Sequence, residues 1–268
     1  MRLSRTARIV LGGITAIVLA VIYVPLLIVL LNSFSTSQTF AWPPPGYTFE
    51  WWIRATQNAG AMQAVWTSVQ VALAATAVSL VLGTLISIAL QRYAFFGREA
   101  INLLVILPIA LPGVITGIAL NNMFRTILGV QLGILTVIVA HATFCIVTVF
   151  NNVLARLRRV GGSFEEASAD LGAGVWTTFR LVTFPQLRSA LLAGGLLAFA
   201  LSFDEIIVTT FTAGPGVTTL PIWIFQNLFR PNQAPVVNVV AVVLVVVSIV
   251  PIYLAQRLAG ADSVRSRT

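Results

Sequence analysis

An acidic pair, Asp204 and Glu205, interrupts an otherwise apolar run between Ser189 and Phe211. A charged side chain at the centre of a membrane helix is disfavoured by roughly 2.5–3.5 kcal/mol on insertion scales, so acids inside a span mark ion or substrate paths. Such a pair can attract a cation or relay protons. The same pair would also fit near the outer interface, where water lowers the cost, or in a structural ion pair with an arginine. We interpret the pair as part of a cation path.

A second polar pair, His141 and Cys145, offers less chemistry. The two residues are four apart and share one helical face, but two ligands without further carboxylates or thiols do not make a metal site. We therefore predict no metal, and expect His141 to hydrogen-bond to a neighbouring helix. The chain contains no lysine and no G-x-x-x-x-G-K-[S/T] sequence, so it cannot form a P-loop and any ATP must be bound by another subunit. We expect neither a cofactor nor an enzymatic activity.

The segment from Ser163 to Pro185 combines an apolar stripe with an acidic face. Its apolar residues recur at near-helical spacing, which indicates an amphipathic helix. Ser163 and Glu166 form an S-x-x-E capping box, Gly172 weakens the helix, and Pro185 ends it. We predict two short helices joined at a glycine and lying on a membrane surface. The apolar stripe consists of Phe164, Ala167, Leu171, Val175, Phe179 and Val182.

Composition indicates the elements that must position these groups. The 268 residues are 58% hydrophobic and 9% charged, whereas a soluble domain carries about 25% charged residues. The net charge is +8, but every basic residue is an arginine and the arginines are scattered between apolar runs. Such scatter offers no nucleic-acid surface. We predict an all-α, polytopic membrane protein that contacts lipid, with a single transmembrane domain over residues 1–268.

Apolar runs of about 20 residues or more predict six transmembrane helices. These spans cover about 9–31, 64–90, 101–124, 132–153, 189–211 and 235–256. With the N-terminus inside, the inner segments carry thirteen arginines and the outer segments three, a strong positive-inside bias. We therefore expect both termini in the cytoplasm and a cytoplasmic loop at 154–188.

That loop resembles the EAA loop of ABC-importer permeases, in which Glu-Ala-Ala, three residues, a glycine, nine residues and Ile-x-Leu-Pro follow one another. The matching residues are Glu166-Ala167-Ser168, Gly172 and Val182-Thr183-Phe184-Pro185. In that family the short helix docks into a cleft of the ATPase subunit. An ordinary amphipathic interfacial helix is the alternative. The resemblance implies that ATPase coupling involves Glu165, Glu166, Ala167, Asp170, Leu171, Gly172 and Pro185.

A wider resemblance covers nearly the whole chain. The run 201–208, with its continuation to Pro221, is similar to permeases of the spermidine/putrescine type, as are the runs 107–113 and 141–144. This resemblance implies a type I ABC-importer permease in a bacterial inner membrane. It also implies a heterodimer with a second, homologous permease, two ATP-binding subunits and an extracytoplasmic substrate-binding protein. The substrate would be a polyamine such as putrescine or spermidine.

A polyammonium ion needs carboxylates for its charge and aromatic faces for cation–π contact. Beside Asp204 and Glu205, the candidate aromatic residues are Phe203, Trp51, Trp52 and Trp223. The role of an interface anchor or a packing residue is the preferred interpretation for each of these. The third span has no acidic residue, so any further negative charge would come from the partner permease.

Two other functions remain open. The first is an ABC importer for another small solute, such as thiamine, iron or an oxyanion, although an anion would favour positive groups and these spans carry acidic ones. The second is an ion-coupled secondary transporter that uses Asp204 and Glu205 as a proton or sodium site.

Overall fold

The computed structural model describes residues 4–39, 41–230 and 233–265. Within these ranges the secondary structure is helical, and the extended pairing is limited to an isolated antiparallel bridge between Ser35 and Tyr47. The described residues form two compact units, one from Met1–Met62 and Trp223–Val245 and the other from Gln63–Ile222 and Val246–Thr268. The predicted all-α class is confirmed.

Twelve α-helices and two π-helical segments make up the described chain. The helices are α1 (Arg5–Asn32), α2 (Glu50–Gln57), α3 (Ala59–Arg92), α4 (Arg98–Ala110), α5 (Gly113–Asn122), α6 (Ile134–Val160), α7 (Ser163–Asp170), α8 (Val175–Thr178), α9 (Phe184–Phe203), α10 (Ile207–Thr212), α11 (Leu220–Asn227) and α12 (Ala234–Arg265). The π-helical segments are Met123–Ile127, after α5, and Phe179–Thr183, between α8 and α9.

Among the residues that the structure describes, five helical stretches are long and apolar enough to cross a membrane, and a bent pair gives a sixth if its two halves form one span. The five are Arg5–Asn32, Ala59–Arg92, Ile134–Val160, Val175–Phe203 and Ala234–Arg257, and the pair is Arg98–Ala110 with Gly113–Ile127. The most apolar window of α1 has none of its residues buried, so this helix presents apolar side chains on all sides, as a helix in lipid or against another subunit does.

The third predicted span, 101–124, is not one straight helix. Its two halves bend by 109° between Ala110 and Gly113. Pro112 explains the break, because a proline disfavours helical geometry in the residue before it. That residue, Leu111, is extended, with φ −86° and ψ 143°.

The fifth predicted span, 189–211, also differs from the observed helix, which runs from Val175 to Phe203. The prediction that Pro185 ends a helix is wrong, because Pro185 lies in the first turn of α9. A proline is tolerated there because its missing N–H is not needed. The preceding π-helical turn, in which Phe184 donates to the carbonyl of Phe179, carries the helix past it.

The core of the second unit lies between α6 and α9. Small residues allow neighbouring helices to approach closely. A Cβ on Gly194 would lie 3.3 Å from the Cα of Val149, and one on Gly83 would lie 3.0 Å from the carbonyl oxygen of Ile146. The buried side chains of this core are Cys145, Val149, Val153, Leu157, Leu187 and Ala198.

Candidate functional site

Glu165 connects three elements of the second unit. Its Oε1 accepts hydrogen bonds from Arg92 Nη2 at 2.8 Å and from Thr183 Oγ1 at 2.8 Å. Arg92, the last residue of α3, also donates to the carbonyl of Gly161 at 3.1 Å. The side chains of the ion pair are only 18% and 22% exposed. Glu165 therefore ties α7 both to the end of α3 and to the π-helical segment that leads into α9.

The start of α7 corrects the predicted capping box. The N-cap is Gly162, which has no side chain to cap with, and Ser163 is the first helical residue. Gly161 has φ +73°, a conformation that favours glycine, and this turn brings α7 directly after α6. Ser163 is therefore one position too late to cap. Glu165 and Glu166 still lie in the first turn, where the helix dipole favours negative charge.

The predicted glycine joint is confirmed, but only the first of the two predicted short helices is separate, because α8 continues through the π-helical segment into α9. Gly172 has φ +76°, and its N–H donates to the carbonyl of Ala169 at 2.8 Å, while Ala173 N–H donates to Ser168 at 3.1 Å. Such bonds satisfy the free carbonyls at a helix end. The hydroxyls of Ser168 and Thr178 lie 2.9 Å apart, so a hydrogen bond holds α7 against α8.

The outer side of this helix pair is apolar and unusually exposed. Leu171, Val175 and Trp176 are 89%, 85% and 72% exposed, and Glu166 and Asp170 are exposed beside them. An exposed apolar patch with a polar border is typical of a protein–protein contact. The other exposed residues of the predicted coupling set and its stripe are Phe164, Ala167, Gly172 and Pro185.

The acidic pair lies at a helix break and not, as predicted, inside a continuous span. Helix α9 ends at Phe203, and α10 begins at Ile207. The carboxylate of Glu205 accepts a hydrogen bond from the backbone N–H of Val208 at 2.8 Å, so it satisfies a free donor at the start of α10. Asp204 is exposed and Glu205 is half-buried. The break therefore leaves Asp204 exposed, while the carboxylate of Glu205 stabilises the backbone.

The ion pairs of the described residues join Arg92 to Glu165 and Arg54 to Glu50. Neither acid of the break therefore has an arginine partner among these residues. The structural ion pair with an arginine, which the sequence left open for Asp204 and Glu205, is therefore absent from the described chain.

His141 lies beside the break and is completely buried. Its Nδ1 lies 2.7 Å from Ser202 Oγ, in the last turn of α9, and its Nε2 lies 2.8 Å from Thr209 Oγ1, in the first turns of α10. The prediction that His141 hydrogen-bonds to a neighbouring helix is confirmed. Sequence reasoning did not identify the two hydroxyl partners, because serine and threonine are common in spans and carry no distinctive spacing.

Helix α10 is held by side chains from two other helices. Asn121 of α5 donates to the carbonyl of Phe211 at 2.6 Å, and Thr136 of α6 donates to the carbonyl of Thr212 at 2.8 Å. Gly117 allows α5 to approach, since a Cβ there would lie 2.6 Å from the ring of Phe211. These bonds satisfy the C-terminal carbonyls that a short helix leaves free.

The predicted aromatic residues have contacts typical of packing. Phe203 is 1% exposed and stacks on Phe199 with ring centroids 5.6 Å apart. In the first unit, Trp51 donates from Nε1 to the carbonyl of Ser35 at 2.7 Å. Trp52 stacks on Phe34 at 5.3 Å. These contacts agree with a packing role for the aromatic set, to which Trp223, 7% exposed, also belongs.

Membrane-length helices, with an exposed helical segment that joins the fourth to the fifth, are typical of a transport permease. The chain belongs to the family described as "Binding-protein-dependent transport system inner membrane component", which matches residues 83–261. It is therefore a multi-pass inner-membrane permease and not an enzyme.

Among characterised relatives, the chain is 31% identical to the spermidine/putrescine transport system permease protein PotC of Escherichia coli K12, over 97% of both chains. It is 33% identical to the putrescine transport system permease protein PotI of the same organism, over 82% of this chain and 80% of that one. A putative 2-aminoethylphosphonate transport system permease protein, PhnV of Salmonella typhimurium, is 29% identical over 83% of this chain and 84% of its own. The resemblance to polyamine-type permeases is confirmed.

Solved structures show the same fold at low identity. A chain of a bacterial ABC transporter that imports the acidic polysaccharide alginate superposes with a TM-score of 0.73 at 16% identity, covering 96% of this chain and 99% of the other. A chain of the MetNI methionine ABC transporter superposes with a TM-score of 0.59 at 22% identity, covering 77% and 95%. The fold is therefore that of an ABC-importer permease.

Proposed function

We propose that this chain is the permease subunit of an ATP-driven importer that carries a polyamine, putrescine or spermidine, into the cytoplasm by alternating access. The observation that carries the proposal is the 31% identity to a spermidine/putrescine permease over 97% of both chains. The exposed position of Asp204 supports it, because a flexible polyammonium ion is bound most strongly by charge-assisted hydrogen bonds to carboxylates.

The two acids of the break have different tasks in this proposal. Glu205 is already hydrogen-bonded to the N–H of Val208, so it is held in place and contributes mainly through its charge. Asp204 is exposed and has no arginine partner in the described chain, so its oxygens bind an ammonium group directly. The break thus offers negative charge without the full cost of placing it inside an intact apolar helix.

The exposed face of α7 and α8 is the proposed contact with an ATP-binding subunit. Leu171, Val175 and Trp176 supply apolar area, and Glu166 and Asp170 supply charge at the border. Closure of the ATP-binding subunits would move α7, and the bonds of Glu165 would pass this movement to α3 and α9. The proposed complex contains a second, homologous permease, two ATP-binding subunits and an extracytoplasmic binding protein, with both termini of this chain in the cytoplasm.

The proposal is tested by uptake of radiolabelled putrescine and spermidine in cells that express the complete transporter and lack other polyamine uptake. Asp204→Asn should reduce uptake more than Glu205→Gln, because only Asp204 is free to bind the substrate. The matched control is Glu99→Gln, an exposed acid in the first turn of α4, which should leave uptake unchanged. Unchanged uptake in Asp204→Asn would disprove its role, and absence of polyamine uptake by the unaltered transporter would disprove the substrate.

The relative PhnV gives a specific second candidate, 2-aminoethylphosphonate. This solute also carries an ammonium group, but its phosphonate would be repelled by Asp204 and Glu205. Unlabelled 2-aminoethylphosphonate should therefore fail to compete with labelled putrescine, whereas unlabelled spermidine should compete. The reverse order of competition would favour the aminophosphonate.

A further inference from the structure

A chain of hydrogen bonds crosses the helix break and passes through His141. The imidazole is completely buried, and it bonds to Ser202 on one side of the break and to Thr209 on the other, at 2.7 and 2.8 Å. Ser202 and Thr209 are buried as well. The Thr209 hydroxyl also lies 3.0 Å from the backbone carbonyl of Glu205, so the chain ends on the acidic residue itself.

The contacts determine the direction of the bonds made by Thr209 and, for a neutral imidazole, that of the bond to Ser202. A carbonyl can only accept, so the single proton of the Thr209 hydroxyl is donated to Glu205. Thr209 must then accept a proton from Nε2 of His141. A neutral imidazole that donates from Nε2 has an accepting Nδ1, and Ser202 donates to it. For a neutral ring, the arrangement that satisfies all three contacts is therefore the Nε2–H tautomer of His141.

The break needs such support because α10 cannot hold its own position. Helix α10 has six residues, and helices of that length are not stable by themselves in water. Asn121 and Thr136 hold the far end of α10, at the carbonyls of Phe211 and Thr212. His141 contacts the near end of α10, and it also contacts the last turn of α9.

We infer that His141 is a positioning residue, which, through Ser202 and Thr209, fixes the direction in which the carboxylates of Asp204 and Glu205 point. This inference rests on the proposed function, since the orientation of the acids matters to transport only if they meet the substrate. The imidazole does not touch the substrate. Its role is to keep the backbone on the two sides of the break in one relative orientation.

The test removes one bond and leaves the shape unchanged. Thr209→Val replaces the hydroxyl by a methyl group, and Thr209→Ser keeps the hydroxyl. The matched control is Thr210→Val, the adjacent residue of the same helix, which is exposed and whose hydroxyl bonds only to the carbonyl of Ile206 within its own turn. Ser202→Ala and His141→Gln interrupt the chain at its other links.

Two measurements are made on the complete transporter. Thr209→Val should raise the KM for spermidine about fivefold, the change expected for loss of one hydrogen bond, with little change in maximal rate or in assembly of the complex. Thr209→Ser and Thr210→Val should behave as the unaltered protein does.

The second measurement is the rate of thiol labelling, which needs no substrate. With cysteine placed at position 204, Thr209→Val should change the rate of thiol labelling, and Thr210→Val should not.

The results separate this inference from the proposed function. If Thr209→Val and Thr210→Val are indistinguishable in both measurements, or if uptake falls only in proportion to loss of assembled complex, the positioning role is wrong. If the labelling rate changes but the unaltered transporter carries no polyamine, the geometry is supported and the proposed substrate fails. Interruption at Ser202 or His141 should reproduce the labelling change of Thr209→Val, and failure to do so would also overturn the inference.

Discussion

The ion pair between Arg92 and Glu165 is expected to transmit movement from the ATP-binding subunit to the membrane helices. Glu165 faces inward, where it bonds to the end of α3 and to Thr183, whereas the adjacent Glu166 is exposed. Glu165→Gln and Arg92→Gln should therefore uncouple ATP hydrolysis from transport while leaving the ATP-binding subunit bound.

The exposure of the two side chains sets the free energy that the ion pair contributes. Fully exposed ion pairs contribute about 0.2–1 kcal/mol, and a hydrogen bond to a charged group contributes about 1.5–3 kcal/mol when it is protected from water. The two side chains are 18% and 22% exposed, which lies between these cases, so we expect a contribution of about 1–2 kcal/mol. That free energy corresponds to roughly a 5–30-fold change in an equilibrium constant. We expect a change of this size in the ratio of ATP hydrolysed with transport to ATP hydrolysed without it.

The assay is the number of polyamine molecules transported per ATP hydrolysed, measured with the complete transporter in proteoliposomes. Co-purification of the ATP-binding subunit is measured on the same variants. The matched control is Glu50→Gln, which breaks the ion pair with Arg54, whose side chains are both 54% exposed; it should change neither quantity. The charge exchange Arg92→Glu with Glu165→Arg should restore part of the coupling that either single change removes.

Three results would refute the reasoning. The first is normal coupling in Glu165→Gln. The second is loss of the bound ATP-binding subunit, which we expect instead for Glu166→Lys on the exposed face. The third is strict additivity of Arg92→Gln and Glu165→Gln, because residues that act as a pair give a non-additive double-mutant cycle.

Two further predictions concern the joint and the topology. Gly172→Ala should weaken binding of the ATP-binding subunit roughly 5–30-fold, because a side chain in the left-handed conformation costs about 1–2 kcal/mol. Gly174→Ala is the matched control, since Gly174 has φ −68° and equally open space around it, and equal binding by both variants would contradict the prediction. In a cysteine-free chain, a cysteine replacing Ser163 should react with a membrane-impermeant thiol reagent only from the cytoplasmic side. A cysteine replacing Trp42, which is 58% exposed, should react only from the outside, and the opposite pattern would invert the proposed orientation.

Several features follow from local sequence and were therefore predictable. Hydropathy locates the membrane-length helices, because the bilayer requires about 20 apolar residues whatever the packing. The joint at Gly172 is equally local, since only the residue type decides whether a positive φ is tolerated. A buried histidine must find hydrogen-bond partners, so the bonding of His141 to a neighbouring helix was also expected from its apolar surroundings.

Features that depend on neighbours in space were decided only by the tertiary structure. Successive residues of a helix point about 100° apart, so the sequence alone could not tell whether Glu165 or Glu166 faces inward. The position of Arg92 at the end of α3 selects Glu165. In the same way, the direct turn from α6 into α7 at Gly161 moved the cap away from Ser163.

The acidic pair also has some features that the sequence predicts and others that only the tertiary structure decides. Its occurrence in an apolar run is visible in the sequence, and so is its cost in a membrane. A hydropathy average over about 19 residues cannot detect a break of three residues, so the separation of α9 from α10 was not predictable. Whether the carboxylates are free also depends on what lies opposite them. Helix α6 places His141 across the break, where it bonds to Ser202 and Thr209, and a sequence cannot show which residues of different helices meet.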